Sequence, residues 1–327
     1  MNRKNGLNMD SWITRRSAVS GLALGGAGLL SAGLATNRAE AAPEWTLDLD
    51  TAADNCIALL KLQADISGAD AMGGFPGEVW AWVPNEGTIR ILNTYGVGVS
   101  HVEFRPDEGG WRFYHREVLL YLDPETNEVA ESWYNPFTQR RVEVVHVFND
   151  HVSRFYPLEG GRFTFPWPYE IHGNNIVYRI SVFRLEDNPM PRRDYPLHSQ
   201  SDKYQTGELW GMIGDLREIM DPDVTSAGCV TSWSRISEWL PFMEMGNRPG
   251  QMIFHSHAHK LKNGVEEVIP TVRRYLEKTA PEYFESPREW TPPGARVTAW
   301  THSKNLVDER RARGLKEGET PFSWPKS

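Results

Sequence analysis

Short segments in which apolar and polar side chains alternate fill the chain between residues 78 and 184. Alternation with a period of two is typical of β-strands that bury one face. Clusters of Gly, Pro, Asn and Asp separate the segments, as in Pro84-Asn85-Glu86-Gly87. The segments are Val79–Val83, Thr88–Asn93, Val97–Phe104, Trp111–Asp123, Ala130–Tyr134, Arg141–Phe148 and Ile176–Leu185.

Strands of this length and spacing predict antiparallel hairpins that close into a barrel or pack as a sandwich. The 13 Trp and 28 Gly residues indicate an aromatic interior and many turns. We therefore predict a mostly β protein, built as an antiparallel lipocalin-like β-barrel with added helices (α+β).

Other patterns flank the alternating segments. The apolar positions of Thr51–Ile66 predict a helix. A second helix is predicted to begin near Pro270, since Pro suits the first position of a helix. Gln251–Leu261 is predicted to be a strand, and Glu285–Ser327 a Pro-rich polar tail. Two apolar stripes with helical spacing predict further helices, one formed by Leu209, Ile213, Leu216 and Met220 and the other by Trp233, Ile236 and Leu240.

The first 41 residues have the pattern of an export signal. Arg15 and Arg16 precede a charge-free run rich in Gly and Ala, and Ala39-Glu40-Ala41 has the small-x-small form of a signal-peptidase site. Paired arginines before a weakly apolar run are typical of twin-arginine signals. We expect the twin-arginine translocation machinery as a partner and a mature protein that is periplasmic or secreted. Residues 42–327 are then predicted to form one barrel domain with helical additions.

The charge of the chain excludes several classes of partner. The formal net charge is −8, and the first 41 residues carry five basic and two acidic side chains, so the mature chain has −11. A protein this acidic repels a phosphate backbone and an anionic membrane surface, which excludes nucleic acid as a partner. With a hydrophobic content of 40%, the mature form is expected to have no membrane span.

The two cysteines, Cys56 and Cys229, leave two alternatives open. They could pair in an oxidising compartment, or they could remain as separate buried thiols.

Several segments together carry a family resemblance. They are residues 116–126 (REVLLYLDPET), 133–138 (WYNPFT), 144–150 (VVHVFND), 232–246 (SWSRISEWLPFMEMG) and 260–261 (KL). The chain resembles the bacterial and fungal family catalogued as domain of unknown function 1838. The resemblance implies one domain over most of the mature chain, and it supplies no catalytic residue because the family has no assigned activity.

One face of the predicted strand Trp111–Asp123 carries the strongest catalytic candidates. Strand side chains alternate, so Trp111, Phe113, His115, Glu117 and Tyr121 share a face. An apolar wall with a few polar groups suits a small-molecule cavity. We predict that His115 is a general base, that Glu117 orients it, and that Tyr121 is an acid or hydrogen-bond donor.

Further residues complete the predicted site. Arg116 or Arg141 would hold an anion, since guanidinium groups bind carboxylates and enolates well. His146 is a further catalytic candidate, because it lies with Asn149 and Asp150 near a strand end. The predicted substrate-binding residues are Trp111, Phe113, Trp133, Asn149, Trp233, Arg235 and Trp239.

His255-Ser256-His257-Ala258-His259 indicates a possible metal site. A His-x-His pair on a strand places two imidazoles on one face, where they could hold zinc, iron or copper. His255 and His257 would be ligands, with a third from His101, His115, His146 or His151. The alternative is a solvated strand end.

The leading functional hypothesis is an enzyme that acts on a small apolar, aromatic molecule in the barrel cavity. It would use cofactor-independent His/acid chemistry of the lyase, isomerase or hydrolase type. The alternatives are a non-catalytic periplasmic small-molecule carrier and a His-ligated metalloenzyme. No G-x-S-x-G elbow, P-loop or dinucleotide-binding glycine motif is present, and the residues do not identify the substrate.

Overall fold

The computed structural model describes residues 46–150, 152–160, 165–291 and 299–315. Ten strands form one antiparallel sheet, in the order β6-β3-β2-β1-β12-β11-β10-β9-β8 with β7 also paired to β3. The strands of this sheet are β1 (Ala71–Val83), β2 (Gly87–Arg105), β3 (Gly110–Leu122), β6 (Val147–Asn149), β7 (Arg154–Pro157), β8 (Tyr169–His172), β9 (Asn175–Asp187), β10 (Lys203–Asp215), β11 (Val230–Ser237) and β12 (Gln251–Lys260). A separate hairpin joins β4 (Ser132–Asn135) to β5 (Arg140–Glu143).

Helix α1 (Ala52–Gln63) fills one end of the sheet. Its Leu59 and Leu62 share one apolar cluster with Phe113 of β3 and with Met212 of β10. Because β3 and β10 lie five places apart in the strand order, the sheet must curl for both to reach the same helix. Gly214 permits this packing, since a Cβ there would lie 2.3 Å from Leu62 Cδ2.

A second apolar cluster fills the other end of the curled sheet. It joins Tyr121 of β3 and Phe254 of β12 to Trp239 and Phe242, which follow β11. The β4–β5 hairpin adds Trp133 to this cluster. The inner face of the sheet is therefore apolar at both ends.

Three helices complete the described fold. α3 (Pro270–Thr279) begins at the predicted proline and buries Val272 and Leu276 in a cluster with side chains of β1–β3. α2 (Leu216–Met220) follows β10 directly, and α4 (Ala299–Ala312) packs Trp300 and Val307 near Tyr204.

The mostly β, antiparallel prediction is confirmed, and closure of the barrel is not. Among the described strands, no hydrogen-bonded pair joins β6 or β7 at one edge to β8 at the other. The lipocalin-like barrel therefore stays a prediction.

Two predicted helices are wrong. Residues 209–215 belong to strand β10 and Trp233 and Ile236 to strand β11, so only Leu216 and Met220 of the first stripe lie in a helix. The reason is that apolar Leu209, Ile213 and Ile236 lie exposed on the outer face, which blurs the period-two signal. The predicted tail also contains helix α4.

The structure bears on the predictions for the cysteines and for membrane spans, and several other predictions lie outside the described residues. Cys56 and Cys229 are both free and buried. The predicted signal (residues 1–41), His151 and residues 316–327 lie outside the described residues. None of the helices in the described ranges is long and apolar enough to cross a membrane.

Candidate functional site

A group of charged and polar side chains occupies the inner face of the sheet between the two apolar clusters. We call it the interior polar cluster; its members are His115, Glu117, Asn149, Arg154, Glu208 and Arg235. β3, β6, β7, β10 and β11 supply them, so residues distant in sequence meet only because the sheet curls.

His115 and Glu117 form the first part of the cluster. The two residues lie two apart on β3, and His115 Nε2 is 3.5 Å from Glu117 Oε2. Gly98 on the neighbouring strand leaves room for the imidazole, since a Cβ there would lie 2.9 Å from His115 Cε1. Asn149 Nδ2 donates a hydrogen bond of 2.7 Å to Glu117 Oε1. Each carboxylate oxygen of Glu117 therefore faces a polar partner.

The surroundings of Glu117 keep it ionised. Burial alone would raise the pKa of this carboxyl, but His115, the hydrogen bond from Asn149 and the charge of Arg154 lower it to about 2. The Glu117 side chain still has 31% of its surface accessible, and His115 has 18%. The centre of the inner face is thus reachable from solvent.

Among the described residues, only one of the two nitrogens of the His115 imidazole has a polar partner. Nε2 faces Glu117, whereas Nδ1 is buried and has no hydrogen-bond partner among the described residues. An imidazole that donates its Nε2–H to a carboxylate presents Nδ1 as an acceptor.

Arg154, Glu208 and Arg235 continue the cluster across the interior. The negative charges of Glu117 and Glu208 both act to raise the pKa of Arg154. Arg235 Nη1 lies 3.8 Å from Glu208 Oε1, and Glu208 and Arg235 are opposite each other in the β10–β11 register. Positive and negative side chains therefore alternate from Glu117 on β3 to Arg235 on β11.

Aromatic rings line the part of the interior around Arg235. The Trp233 ring lies 5.6 Å from that of Trp210 and 5.8 Å from that of Phe254, between centroids. Phe254 in turn lies 6.5 Å from the Tyr121 ring. This wall is apolar except for the indole N–H groups of Trp210 and Trp233 and the Tyr121 hydroxyl.

The structure separates Tyr121 from His115. Both point to the inner face of β3, but six residues of a strand span about 20 Å. Tyr121 instead contacts Phe242 and His146 by ring packing. Burial raises its pKa, so the phenol is a hydrogen-bond donor at neutral pH.

Arg116, Arg141 and His146 lie away from the His115–Glu117 pair. Arg116 is on the outer face, where it binds Asp150 Oδ1 at 2.7 Å and the carbonyl oxygen of Glu282 at 2.6 Å. Arg141 is exposed on the β4–β5 hairpin. His146 is buried and accepts a hydrogen bond from the Tyr121 backbone N–H at its Nδ1, and burial lowers its pKa to about 3.

The predicted substrate-binding residues fall into two groups. Asn149, Trp233 and Arg235 belong to the interior described above. Trp111 and Phe113 pack against the cluster around α1, and Trp133 and Trp239 are buried in the opposite apolar cluster, where they fill space.

Arg154, Glu208 and Trp210 were not among the predicted site residues. Arg154 follows the dense group His146–Asp150, but a β7 of four residues is too short to give a periodic signal. Glu208 and Trp210 lie in a segment with apparent helical spacing, and only the strand assignment places them on the inner face.

The histidines of β12 lie on the other side of the sheet. His255, His257 and His259 are exposed on its outer face, and the rings of His255 and His257 are 4.8 Å apart. His101 Nδ1 donates to the carbonyl oxygen of Gly68. Within the described ranges, no three His, Cys, Asp or Glu side chains are grouped so as to hold a metal ion. The metal site stays a prediction.

Fold and site together define a class: a curled antiparallel sheet, plugged at both ends, around a polar interior that solvent reaches. Within that class, the chain belongs to the family described as Protein of unknown function (DUF1838), whose model matches residues 70–307.

Other comparisons add little. No curated protein matches the chain. Among solved structures, the crystal structure of the outer membrane enzyme PagL is similar at 9% identity and a TM-score of 0.24, over 59% of this chain and 99% of that chain. A likeness this weak supports no functional argument.

Proposed function

We propose that the protein is an enzyme that performs general acid–base chemistry on a small aromatic molecule bound inside the curled sheet. The observation that carries the proposal is the His115–Glu117–Asn149 arrangement. It places an imidazole with an uncommitted nitrogen beside a carboxylate that stays ionised.

In the proposed step, His115 Nδ1 takes a proton from the substrate and becomes imidazolium. Glu117 fixes the tautomer and stabilises the new positive charge without taking the proton, because its low pKa makes it a weak base. The imidazolium then returns the proton to the product or to a leaving group. This cycle needs no organic cofactor.

Two finer statements belong to the same proposal. We propose that the curled sheet functions as a barrel of the lipocalin kind, with its interior as the binding cavity. We also propose that the protein reaches the periplasm or the cell exterior by twin-arginine export, on the evidence of the N-terminal sequence.

The test is a mass-spectrometric assay of purified protein in D2O with a panel of aromatic acids and neutral aromatics. It detects both chemical conversion and exchange of substrate hydrogen for deuterium. We expect one or more compounds to react, and His115→Gln to lower the rate by about 10²-fold or more. His172→Gln, at an exposed histidine of β8, should leave the rate unchanged.

Three results would overturn the proposal. Full activity in His115→Gln would remove the assigned base. Tight binding of a panel compound without conversion or exchange would instead identify a carrier. Loss of activity in His255→Gln with retention in His115→Gln would favour the metalloenzyme.

A further inference from the structure

Several buried hydrogen-bond donors near Arg235 have no acceptor. Among the described residues, Tyr121 Oη, Trp233 Nε1, Ser256 Oγ and Arg235 Nε are buried without a hydrogen-bond partner. Trp233 and Ser256 are opposite each other in the β11–β12 register, and Phe254 occupies the same position beside Arg235. Phe254 also packs against the Tyr121 ring, so the four residues line one region of the inner wall.

An unpartnered donor is costly in a folded protein. Burial of a polar group without a partner costs free energy, so native structures rarely retain several such groups together. An indole N–H and a guanidinium donate only, and a buried phenol with a raised pKa remains a donor. A ligand that satisfies them must supply acceptor atoms.

The guanidinium group of Arg235 makes no direct hydrogen bond to a carboxylate among the described residues. Its nearest carboxylate oxygen, Glu208 Oε1, is 3.8 Å away, which is beyond hydrogen-bonding distance. Nη2 donates to the hydroxyl oxygen of Tyr204, a neutral partner. The side chain has 27% of its surface accessible, so a ligand can approach the guanidinium.

The surroundings limit the ligand further. Glu117 and Glu208 would repel a second negative charge, which favours a monoanion over a phosphate monoester. The rings of Trp210, Trp233 and Phe254 favour an aromatic body. Glu117 and Tyr121 lie four residues apart on β3, about 13 Å along the strand, so a molecule that reaches both ends of the interior must be elongated.

We propose that Arg235, Trp233 and Tyr121 form a binding subsite for the carboxylate of an elongated aromatic monocarboxylic acid. The inference rests on the proposed function for the use of the interior as a cavity, and it is independent of the role of His115. The carboxylate accepts hydrogen bonds from the three side chains, and the aromatic body extends toward His115 and Glu117.

The experiment compares biphenyl-4-carboxylate with its neutral isostere, biphenyl-4-carboxamide, by isothermal titration calorimetry. We expect the acid to bind tenfold or more tightly than the amide, because hydrogen bonds to a charged acceptor are stronger than those to a neutral one. Arg235→Gln should abolish this preference by weakening the acid alone. Arg179→Gln, at an exposed arginine of β9, is the matched control and should keep it.

Tyr121→Phe separates a binding role from a structural one. Because the hydroxyl has no partner among the described residues, its removal should leave the unfolding temperature unchanged or higher, while the acid binds several-fold more weakly. Trp233→Phe should behave in the same way toward the acid. These variants keep the test valid if Arg235→Gln does not fold.

The contradicting results are distinct from those for the catalytic proposal. An acid that binds no better than the amide, or variants that weaken both equally, would remove the carboxylate subsite. If Arg235→Gln loses the preference while His115→Gln keeps full turnover, the subsite stands and the assigned base is wrong.

Discussion

His115 and Glu117 are paired on the inner face of the sheet, within the interior polar cluster. Adjacent inward-facing positions on β3 bring them together, and Asn149 and Arg154 from the sheet edge bias the carboxyl toward its ionised form. His146, by contrast, uses one ring nitrogen to satisfy a backbone N–H. His146 Nδ1 is thus occupied by a structural hydrogen bond, whereas His115 Nδ1 has no partner among the described residues.

Glu238 allows a test of how burial of one carboxyl group changes its pKa and the stability of the protein. One of its carboxylate oxygens is buried without a partner among the described residues, and burial raises its pKa from 4.5 to about 7. An acid with a raised folded-state pKa destabilises the protein as the pH rises from 4.5 through 7. Glu238→Gln should therefore raise the unfolding temperature at pH 8 and have little effect at pH 4.5.

Thermal unfolding followed by circular dichroism at the two pH values measures this difference. Glu125→Gln, at an exposed turn position, serves as the control and should show no such pH dependence. An equal effect of Glu238→Gln at both pH values would mean that the carboxyl titrates normally.

The sequence could predict the residues of this site where they lie on one long strand. The alternation of Trp111–Asp123 correctly placed His115 and Glu117 on one face. It could not show that Arg154 and Glu208 approach from other strands. Those contacts depend on sheet curvature, which is a property of the pairing and not of any one segment.

At the scale of elements, the curl of the sheet depends on close packing across neighbouring strands. Gly96 of β2 lies beneath the ring of Phe75 of β1, and a Cβ at Gly96 would fall 1.7 Å from Phe75 Cε2. Gly96→Ala should lower the free energy of unfolding by about 1–3 kcal/mol, the usual cost of overpacking. Urea denaturation measures this change through its midpoint.

The matched control is Gly211→Ala on β10. The nearest atom to a Cβ there is 4.0 Å away, so this variant should be as stable as the unmodified protein. A second variant, Phe75→Ala together with Gly96→Ala, should lose less than the sum of the single changes, because the clash is gone. Additive losses would show that the two residues do not pack as described.

β10 and β11 show why strands that line a polar interior can be wrongly predicted as helices from the sequence. Period-two alternation predicts a strand when one face is apolar and the other polar. In β10 the inner face carries Glu208 with Trp210, and the outer face carries exposed Leu209 and Ile213. Helical spacing then fits as well as strand spacing, whereas α3 buries a single stripe with Val272 and Leu276 and was predicted correctly.

At the scale of the whole molecule, the two apolar clusters and the helices on the outer face hold the sheet in its curled form. α1 contacts strands from both halves of the sheet, so the helix holds these strands together where the described strands show no hydrogen-bonded closure.

Export is a prediction about the full chain. Replacement of Arg15 and Arg16 by lysine keeps the charge and should retain the precursor in the cytoplasm, because twin-arginine signals require the arginine pair. Fractionation with an immunoblot checks this, and Arg38→Lys in the same segment is the control. Normal export of the double variant would point to another route.

The most direct test of the central claim is a histidine side-chain NMR titration of nitrogen-15-labelled protein with an aromatic acid that calorimetry shows to bind. If the interior polar cluster is the binding site, the His115 ring resonances shift saturably with the acid, and those of exposed His172 and His255 stay in place. Binding that shifts only the outer-face histidines, or none, would contradict the assignment of the site to the interior of the sheet.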